Sequence, residues 1–193
     1  MAAAAGIDVP PARVFSLCSE YRSFACQRFD RAAGRRHFFV SAMTLLQRDD
    51  GSDGSYLELA DFVQTCGSAG YIASDLRQLW TRVLFNILVG NTDDHMRNHG
   101  FIYSPGGWRL APAYEVNVNP GGTQHALAID ERDHTGDVQL ALDTSGLYGL
   151  KAEAVNAVPA RVRSVIGTWR AKGRQLKLSR SDLAFVEPVL DVS

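Results

Sequence analysis

GNTDDHMRNHG, at residues 90–100, is the stretch that decides the fold of this chain, and LAPAYE follows it at residues 110–115. The first stretch comes directly after residues 75–89, whose apolar side chains recur every three and four positions, as in a buried helix. Between the two stretches, SPGG at residues 104–107 separates two short apolar runs, which predicts a β-hairpin. The sequence therefore predicts a central helix that ends in a polar loop, and a hairpin that leads to the carboxylate of Glu115.

The spacing of the polar residues indicates a chemistry. Asp93 is followed five residues later by Asn98, and Glu115 comes after the predicted hairpin. In protein kinases a catalytic Asp, a metal-binding Asn and a second metal-binding carboxylate occur in this order. The pattern predicts phosphoryl transfer. Asn and Asp side chains can also end a buried helix by bonding to its backbone, and the spacing alone does not separate these two interpretations.

The distribution of lysines restricts the prediction. All three lysines of the chain, Lys151, Lys172 and Lys177, follow the polar loop. A protein kinase holds the nucleotide phosphates with a lysine in its N-terminal lobe and covers them with a glycine-rich loop. Gly6 is the only glycine in the first 33 residues. The chain is therefore predicted to be the lower half of a kinase, without the N-terminal lobe.

The other patterns predict a mainly α fold with small β hairpins. Short alternating segments predict strands at residues 13–18, 24–29 and 126–129. Helices are predicted at residues 56–63 with Gly67 as the C-cap, and at residues 75–89, 138–142, 147–150, 152–171 and 179–190. Ser41, Ser74 and Ser179 are the predicted N-caps. Pro159 is predicted to interrupt or kink its helix.

Length and composition limit the class of protein. The 193 residues, with 46% hydrophobic and 21% charged side chains, suffice for one domain with two subregions. A net charge of -1 predicts neither a direct nucleic-acid partner nor a membrane partner. Cys18, Cys26 and Cys66 lack metal-ligand spacing, which favours buried, reduced thiols in a cytoplasmic protein. The chain has no basic leader and no long apolar run, so neither export nor a membrane anchor is expected.

Four segments together resemble the C-terminal part of the HipA family. They are RFDR at residues 28–31, SAMTLL at 41–46, FNILVGNTDDHMRNH at 85–99 and LAPAYEVN at 110–117. The family consists of bacterial Ser/Thr protein kinases, which are toxins of type II toxin–antitoxin pairs and have a helical C-terminal lobe like that of eukaryotic kinases. The resemblance implies a HipA-like C-terminal kinase domain over residues 1–193. Residues 1–31 would be the hinge-proximal remnant of the N-terminal lobe, and residues 32–193 the helical C-terminal lobe.

The resemblance also implies ligands and partners. ATP and Mg²⁺ are the expected cofactors, and a protein Ser or Thr is the expected phosphate acceptor. A HipB-like antitoxin and a separate chain that supplies the N-terminal lobe are the expected partners.

Residue roles follow from the same resemblance. Asp93 is the expected catalytic base, and Asn98 an expected magnesium ligand. Glu115 stands where the family has an aspartate that binds magnesium, and its extra methylene departs from that pattern. Gln27 and Phe29 correspond to the hinge that contacts adenine, and His95 is grouped with the cofactor-binding residues. Asp94 matches the motif without a clear role.

Other interpretations remain open at this level. The missing lysine, the missing glycine loop and Glu115 also fit a catalytically inactive pseudokinase or an interaction domain. His95 and His99, four residues apart, would face the same side of a helix and could then bind zinc. Arg28 and Asp30 can simply pair with each other. Phe29, Trp80 and Trp108 can be packing residues.

Overall fold

The structure is a computed structural model and describes residues 1–17 and 21–191. The strands are β1 (Ala12–Ser16), β2 (Arg22–Cys26), β3 (Arg31–Ala32), β4 (Arg35–Arg36), β5 (Phe39–Ser41), β6 (Gly100–Ser104) and β7 (Gly107–Leu110). The helices are α1 (Ala42–Leu45), α2 (Tyr56–Cys66), α3 (Ile72–Val89), α4 (Val138–Asp143), α5 (Ala152–Ile166), α6 (Trp169–Gln175) and α7 (Arg180–Leu190), with 3₁₀ turns at Met96–Asn98 and Thr144–Tyr148.

Helix α3 forms the centre of the core. Leu79, Trp80, Val83 and Leu84 are fully buried on it, and it packs against α2, α4 and α5. The Trp80 indole N–H donates to the carbonyl oxygen of Ala141 at 2.8 Å, so this large side chain is buried with its polar atom satisfied. The helix predicted from the three-and-four periodicity is therefore confirmed as the buried helix on which the lobe is built.

The strands form small antiparallel sheets around this helical core. β1 pairs with β2 and β3 pairs with β4, while β5, β6 and β7 form a three-stranded sheet in that order. Asp75 of α3 accepts two hydrogen bonds from the Arg109 guanidinium, at 2.8 and 3.0 Å, and one from the Leu110 N–H at 3.0 Å. This buried carboxylate fixes β7 against α3, and β7 leads the chain to Glu115.

Most of the predicted elements are present. Both predicted hairpins form, although residues 18–20 of the first turn lie outside the described residues. Ser41 and Ser179 cap α1 and α7 through their side chains, and Gly67 is the C-cap of α2. The 3₁₀ turn Thr144–Tyr148 replaces the short helix expected at residues 147–150.

Three local predictions are wrong. α3 begins at Ile72, so Ser74 lies in its first turn and donates its hydroxyl to the Tyr71 carbonyl instead of capping the helix. Residues 126–129 form no strand, because Ala128 makes only an isolated bridge with Ser55. α5 is not interrupted at Pro159, and the helix predicted at residues 152–171 instead divides into α5, which ends at Ile166, and α6, which begins at Trp169.

The cysteines differ from the prediction as well. Cys26 and Cys66 are free thiols, but both are exposed rather than buried, and Cys18 lies outside the described residues. In the part of the chain that the structure describes, no helix combines the length and the apolar character that crossing a bilayer requires.

Candidate active site

The polar loop begins where α3 ends. Gly90 adopts a left-handed conformation with φ of 63°, which a glycine tolerates without strain. The Asn91 N–H then donates to the Asn86 carbonyl oxygen at 2.8 Å, which closes the last turn. The loop passes through the single 3₁₀ turn Met96–Asn98 and enters β6 at Gly100. The rigid helix thus fixes one end of the loop, and the three-stranded sheet fixes the other.

Asp93 lies at the surface of this loop. Its side chain is 71% exposed, and its Oδ1 lies 3.5 Å from Nε2 of His95. The Asn98 amide donates through Nδ2 to the backbone carbonyl oxygen of Asp93 at 2.8 Å. Because Nδ2 is the amide donor, this bond leaves Oδ1 of Asn98 as the atom that can bind a cation. The structure therefore brings together Asp93, His95 and Asn98, three residues singled out in the sequence.

Asp94 has the opposite environment. Its carboxylate is fully buried and accepts hydrogen bonds from the Tyr56 hydroxyl at 2.5 Å, His125 Nδ1 at 2.8 Å and the Ala126 N–H at 2.9 Å. Burial, reinforced by the Asp94 charge, raises the pKa of Tyr56, which keeps its hydroxyl protonated as a donor. Asp94 thus fastens the loop to α2 and to the segment around residue 125.

The network extends back into α3. Asn86 donates through Nδ2 to the Tyr56 oxygen at 2.8 Å, and Asn91 donates through Nδ2 to Oδ1 of Asn86 at 3.1 Å. Sequence reasoning missed Tyr56, Asn86 and His125. A polar Asn86 inside the otherwise apolar run of residues 83–89 was a detectable signal, whereas nothing near His125 in the sequence connects it to the loop.

Glu115 is held in an unusual backbone conformation. Its φ is 51°, in the left-handed region where a glutamate is uncommon. Backbone strain of this kind concentrates at functional sites. Its Oε2 accepts a hydrogen bond from Asn117 Nδ2 at 3.2 Å. Glu115 and Asn98 both line one small cavity of about 10 Å³.

Two buried basic residues line the same cavity. Arg82 donates through Nη2 to the Ala111 carbonyl oxygen at 2.6 Å, and desolvation lowers its pKa to about 10, so it remains charged at neutral pH. Burial and, secondarily, the Arg82 charge lower the pKa of His99 to about 4, so its ring is neutral.

The zinc hypothesis for His95 and His99 does not fit this geometry. The two residues flank a single 3₁₀ turn instead of lying on one helical face, and Nε2 of His99 faces the Asp94 carbonyl oxygen at 3.2 Å. Among residues 1–17 and 21–191, no group of three His, Cys, Asp or Glu side chains is arranged to hold a metal ion.

A second, larger groove lies next to the loop. Gln27 and Phe29 line it together with Phe39, Arg97 and Tyr114, and its volume is about 390 Å³. The Phe29 and Tyr114 rings stack at 5.9 Å, and Phe29 meets Phe39 edge-on at 5.2 Å. The Gln27 N–H already donates to the Pro11 carbonyl oxygen at 2.8 Å, so a ligand would have to contact the Gln27 carbonyl or side chain.

The neighbouring charges of the groove are paired. Arg28 donates two hydrogen bonds to Asp30, at 2.8 and 2.7 Å, and Arg31 adds a third at 2.7 Å. The hydrogen bond with Arg28 is the main cause that lowers the pKa of Asp30 to about 2. The predicted Arg28–Asp30 pair is therefore present. The Tyr114 hydroxyl donates to the Arg97 carbonyl oxygen at 2.7 Å, which connects this groove to the polar loop.

A helical lobe that carries Asp93 and Asn98 on one loop, with Glu115 just beyond a hairpin, defines the class: a kinase-like C-terminal lobe. The sequence matches the HipA-like C-terminal domain family over residues 1–169. Because this match covers most of the chain, the protein belongs to that family. The predicted family and the predicted fold class are both confirmed.

Individual relatives agree with this assignment. A Haemophilus influenzae protein with the name Putative kinase is 28% identical over 165 residues, which cover 75% of this chain and 47% of that protein. HipA of the Shewanella oneidensis MR-1 toxin–antitoxin system, solved with HipB and operator DNA, matches with a TM-score of 0.76 at 20% identity, covering 98% of this chain and 51% of that one. The chain thus spans about half the length of these relatives.

A third similarity extends the fold comparison. The proinflammatory kinase CtkA of Helicobacter pylori matches with a TM-score of 0.64 at 14% identity, covering 98% of this chain and 78% of that one. At this level of identity the likeness concerns the fold. The two proteins therefore share a fold over nearly the full length of this chain.

Proposed function

We propose that this chain is the catalytic-loop half of a HipA-type Ser/Thr protein kinase, which transfers the γ-phosphate of ATP to a protein hydroxyl. The observation that carries the proposal is the grouping of Asp93, Asn98 and Glu115, with Asp93 exposed and the other two beside one cavity. In this arrangement the Asp93 carboxylate accepts the proton of the attacking hydroxyl and the hydroxyl oxygen forms the new bond to the γ-phosphorus, while the bond from that phosphorus to the bridging oxygen breaks and ADP leaves.

The oxygen atoms of Asn98 and Glu115 suit magnesium as ligands. Asn98 supplies an amide oxygen that its own hydrogen bond orients, and Glu115 supplies carboxylate oxygen, which are the ligands a hard cation prefers. Mg²⁺ is commonly bound by one or two protein carboxylates together with phosphate oxygens and water, so a larger protein ligand cluster is not required. When bound, it would neutralise charge that develops on the phosphate oxygens.

The aromatic groove is the proposed adenine site. Phe29 and Tyr114 offer flat apolar faces, and Gln27 offers polar groups at the edge of the groove. In the sequence, His95 lies between Asp93 and Arg97, and Arg97 lines this groove. The Nδ1 atom of His95 is buried without a hydrogen-bond partner among the described residues. We assign His95 to phosphate or ribose contact, where an imidazole N–H can donate to an oxygen.

The proposal requires a second lobe. No lysine precedes Lys151, so the phosphates would lack the anchor that kinases take from the N-terminal lobe. Residues 1–31 would then be the part of that lobe nearest the hinge, and residues 32–193 the C-terminal lobe. The hairpin of β1 and β2 supports this division, because its paired Val14 and Phe24 are 52% and 71% exposed. An exposed apolar patch of this kind suits contact with another protein surface.

The biological role follows from the family. The Shewanella relative was solved with HipB and operator DNA, which supports a HipB-like antitoxin as partner and a toxin role for the complete protein. This part of the proposal depends on the whole protein, of which this chain corresponds to about half.

A pseudokinase or interaction domain is the second candidate. Arg82 supports it, because its buried guanidinium lines the same cavity as Asn98 and Glu115, and its positive charge would repel a cation there. The missing lysine weakens nucleotide binding further.

Phosphate transfer from labelled ATP distinguishes the two candidates. The chain would be assayed alone and after addition of an N-terminal lobe from a HipA-type kinase, with Asp93→Asn as the matched control. We expect transfer only in the combined sample with Asp93 intact. Equal labelling with Asp93→Asn would show that Asp93 is not the catalytic base. Absence of both transfer and Mg²⁺-dependent nucleotide binding would favour the pseudokinase.

A further inference from the structure

The cavity beside the candidate metal ligands has an unusual lining. Arg82, Asn91 and His99 are 4%, 2% and 3% exposed, and all three line it. Each has one buried polar atom without a hydrogen-bond partner among the described residues: Arg82 Nε, Asn91 Oδ1 and His99 Nδ1. Native proteins rarely leave buried polar atoms unpaired, so three residues with such atoms in the lining of one cavity point to a shared ligand.

The hydrogen-bond network shows whether the unpaired side-chain atom of Asn91 is a donor or an acceptor. The Asp94 carboxylate only accepts, so the Tyr56 hydroxyl must donate to it. The Tyr56 oxygen then accepts from Asn86 Nδ2, which leaves Asn86 Oδ1 to accept from Asn91 Nδ2. The remaining Asn91 atom, Oδ1, is therefore an acceptor that needs a donor.

The other two atoms are assigned in the same way. His99 Nε2 faces the Asp94 carbonyl oxygen at 3.2 Å, and a carbonyl only accepts, so Nε2 carries the ring hydrogen and Nδ1 is an acceptor. The Nε–H of Arg82 can only donate. The cavity therefore offers one donor and two acceptors.

We propose that a single water molecule binds in this cavity, accepting a hydrogen bond from Arg82 Nε–H and donating one each to Asn91 Oδ1 and His99 Nδ1. The cavity volume of about 10 Å³ matches the room that one water needs, and three hydrogen bonds are typical of a buried water. A cation would meet the positive Arg82, and an anion would meet two acceptors. Water is uncharged and can both accept and donate hydrogen bonds, as the lining requires.

This water would connect three elements beneath the site. Arg82 belongs to α3, Asn91 begins the polar loop, and His99 directly follows Asn98. The bridge would hold Asn98 in place relative to the central helix. It does not depend on phosphoryl transfer, so it can be present in a kinase and in a pseudokinase alike.

Crystallography of the full chain tests the proposal directly. At a resolution that shows ordered solvent, we expect one density peak about 2.7–3.2 Å from each of the three atoms. Crystals soaked in Mn²⁺ or in bromide should show no anomalous signal at that position. A cavity without density, or an anomalous peak in it, would overturn the assignment.

Solution NMR provides the second test. We expect a cross-peak between water and the Arg82 Nε–H with the sign of a long-lived contact. The peak should be lost in Asn91→Leu and kept in Asn156→Leu, which changes an exposed asparagine of α5. Asn91→Asp retains an acceptor, should keep the peak, and serves if the leucine variant does not fold. Absence of the peak in the parent protein, or its survival in Asn91→Leu, contradicts the proposed geometry.

Discussion

The polar loop and the hairpin of β1 and β2 are opposite kinds of structure in the same chain. The loop is surrounded by α2, α3 and the segment around residue 125, and its Asp94 carboxylate has three donors. The hairpin leaves every residue of β1 exposed, with Val14 and Phe24 paired on one open face. The loop is thus completed by this chain alone, whereas the hairpin has a surface that only another segment or protein can cover. This contrast fits the proposal that the hairpin contacts a further lobe.

Replacing Asp94 should produce the largest change in stability. Asp94→Ala leaves the Tyr56 hydroxyl, His125 and the Ala126 N–H without their acceptor, and breaking a buried pair of this kind costs about 3–5 kcal/mol. Urea denaturation measures the loss, with Asp94→Asn as the milder substitution if the alanine variant does not fold. Asp93→Ala is the matched control, because an exposed position should change stability by only about 0.5 kcal/mol or less. Equal losses for the two neighbours would show that the loop is not anchored through Asp94.

Replacing Asp93 should lower the activity while leaving the stability nearly unchanged. In a preparation combined with an N-terminal lobe, Asp93→Asn should lower phosphoryl transfer by about 10²–10⁴-fold, since an amide cannot accept the hydroxyl proton. The melting temperature should stay near that of the parent protein. A large fall in melting temperature would instead identify Asp93 as a residue that stabilises the end of the helix.

The buried His99 predicts a pH dependence of stability. Its pKa is lowered from 6.5 to about 4 in the folded chain, so the unfolded chain binds the extra proton as the pH falls below about 6.5. The free energy of unfolding should fall between pH 6.5 and pH 4, by about 3 kcal/mol for a shift of roughly 2.5 pH units, and this contribution should not change further below pH 4.

Denaturation at a series of pH values measures this effect. His99→Gln should flatten the profile in that window, whereas His37→Gln, at an exposed position, should leave it unchanged. A profile that is equally steep in both variants would assign the pH dependence to other groups.

Glu115→Asp should give a modest gain in activity or in Mg²⁺ affinity. Aspartate tolerates the left-handed backbone better than glutamate, and its shorter side chain restores the metal ligand that the family pattern contains. In the combined preparation we expect activity or Mg²⁺ affinity to rise on the order of tenfold, which corresponds to about 1.4 kcal/mol. Glu115→Ala should lower both. A slower aspartate variant would mean that the site is adapted to glutamate, and no effect from either change would support the pseudokinase.

The hairpin should give the smallest change in stability. Phe24→Ser replaces an exposed ring, so the free energy of unfolding should change by only about 0.5 kcal/mol. Binding of an N-terminal lobe, measured by calorimetry, should weaken clearly. Phe101→Ala is the contrasting variant, because removing this buried ring should cost about 3–5 kcal/mol. Unchanged binding of the lobe by Phe24→Ser would exclude this face of the hairpin as its contact surface.

Much of the local structure could be predicted from the sequence because its causes are local. The periodicity of residues 75–89 requires one buried face, and only a helix provides it. The SPGG turn favours the hairpin of β6 and β7, and Ser179 closes a capping box with Asp182 in the first turn of α7. Ser74 shows the limit of such rules, since the chain had already turned into helix two residues earlier.

The features of the site can also be separated into those with local causes and those that depend on tertiary packing. The sequence by itself indicated the family and the succession of central helix, polar loop and hairpin that carries Asp93, Asn98 and Glu115, because helix periodicity, turn residues and motif spacing act over a few neighbours. Only the tertiary structure decided that Asp94 is buried while Asp93 beside it is exposed, and that His125, 31 residues away, supplies its partner. The physical reason is that burial and long-range hydrogen bonds depend on which surfaces pack together, and two adjacent aspartates are chemically identical until that packing has formed.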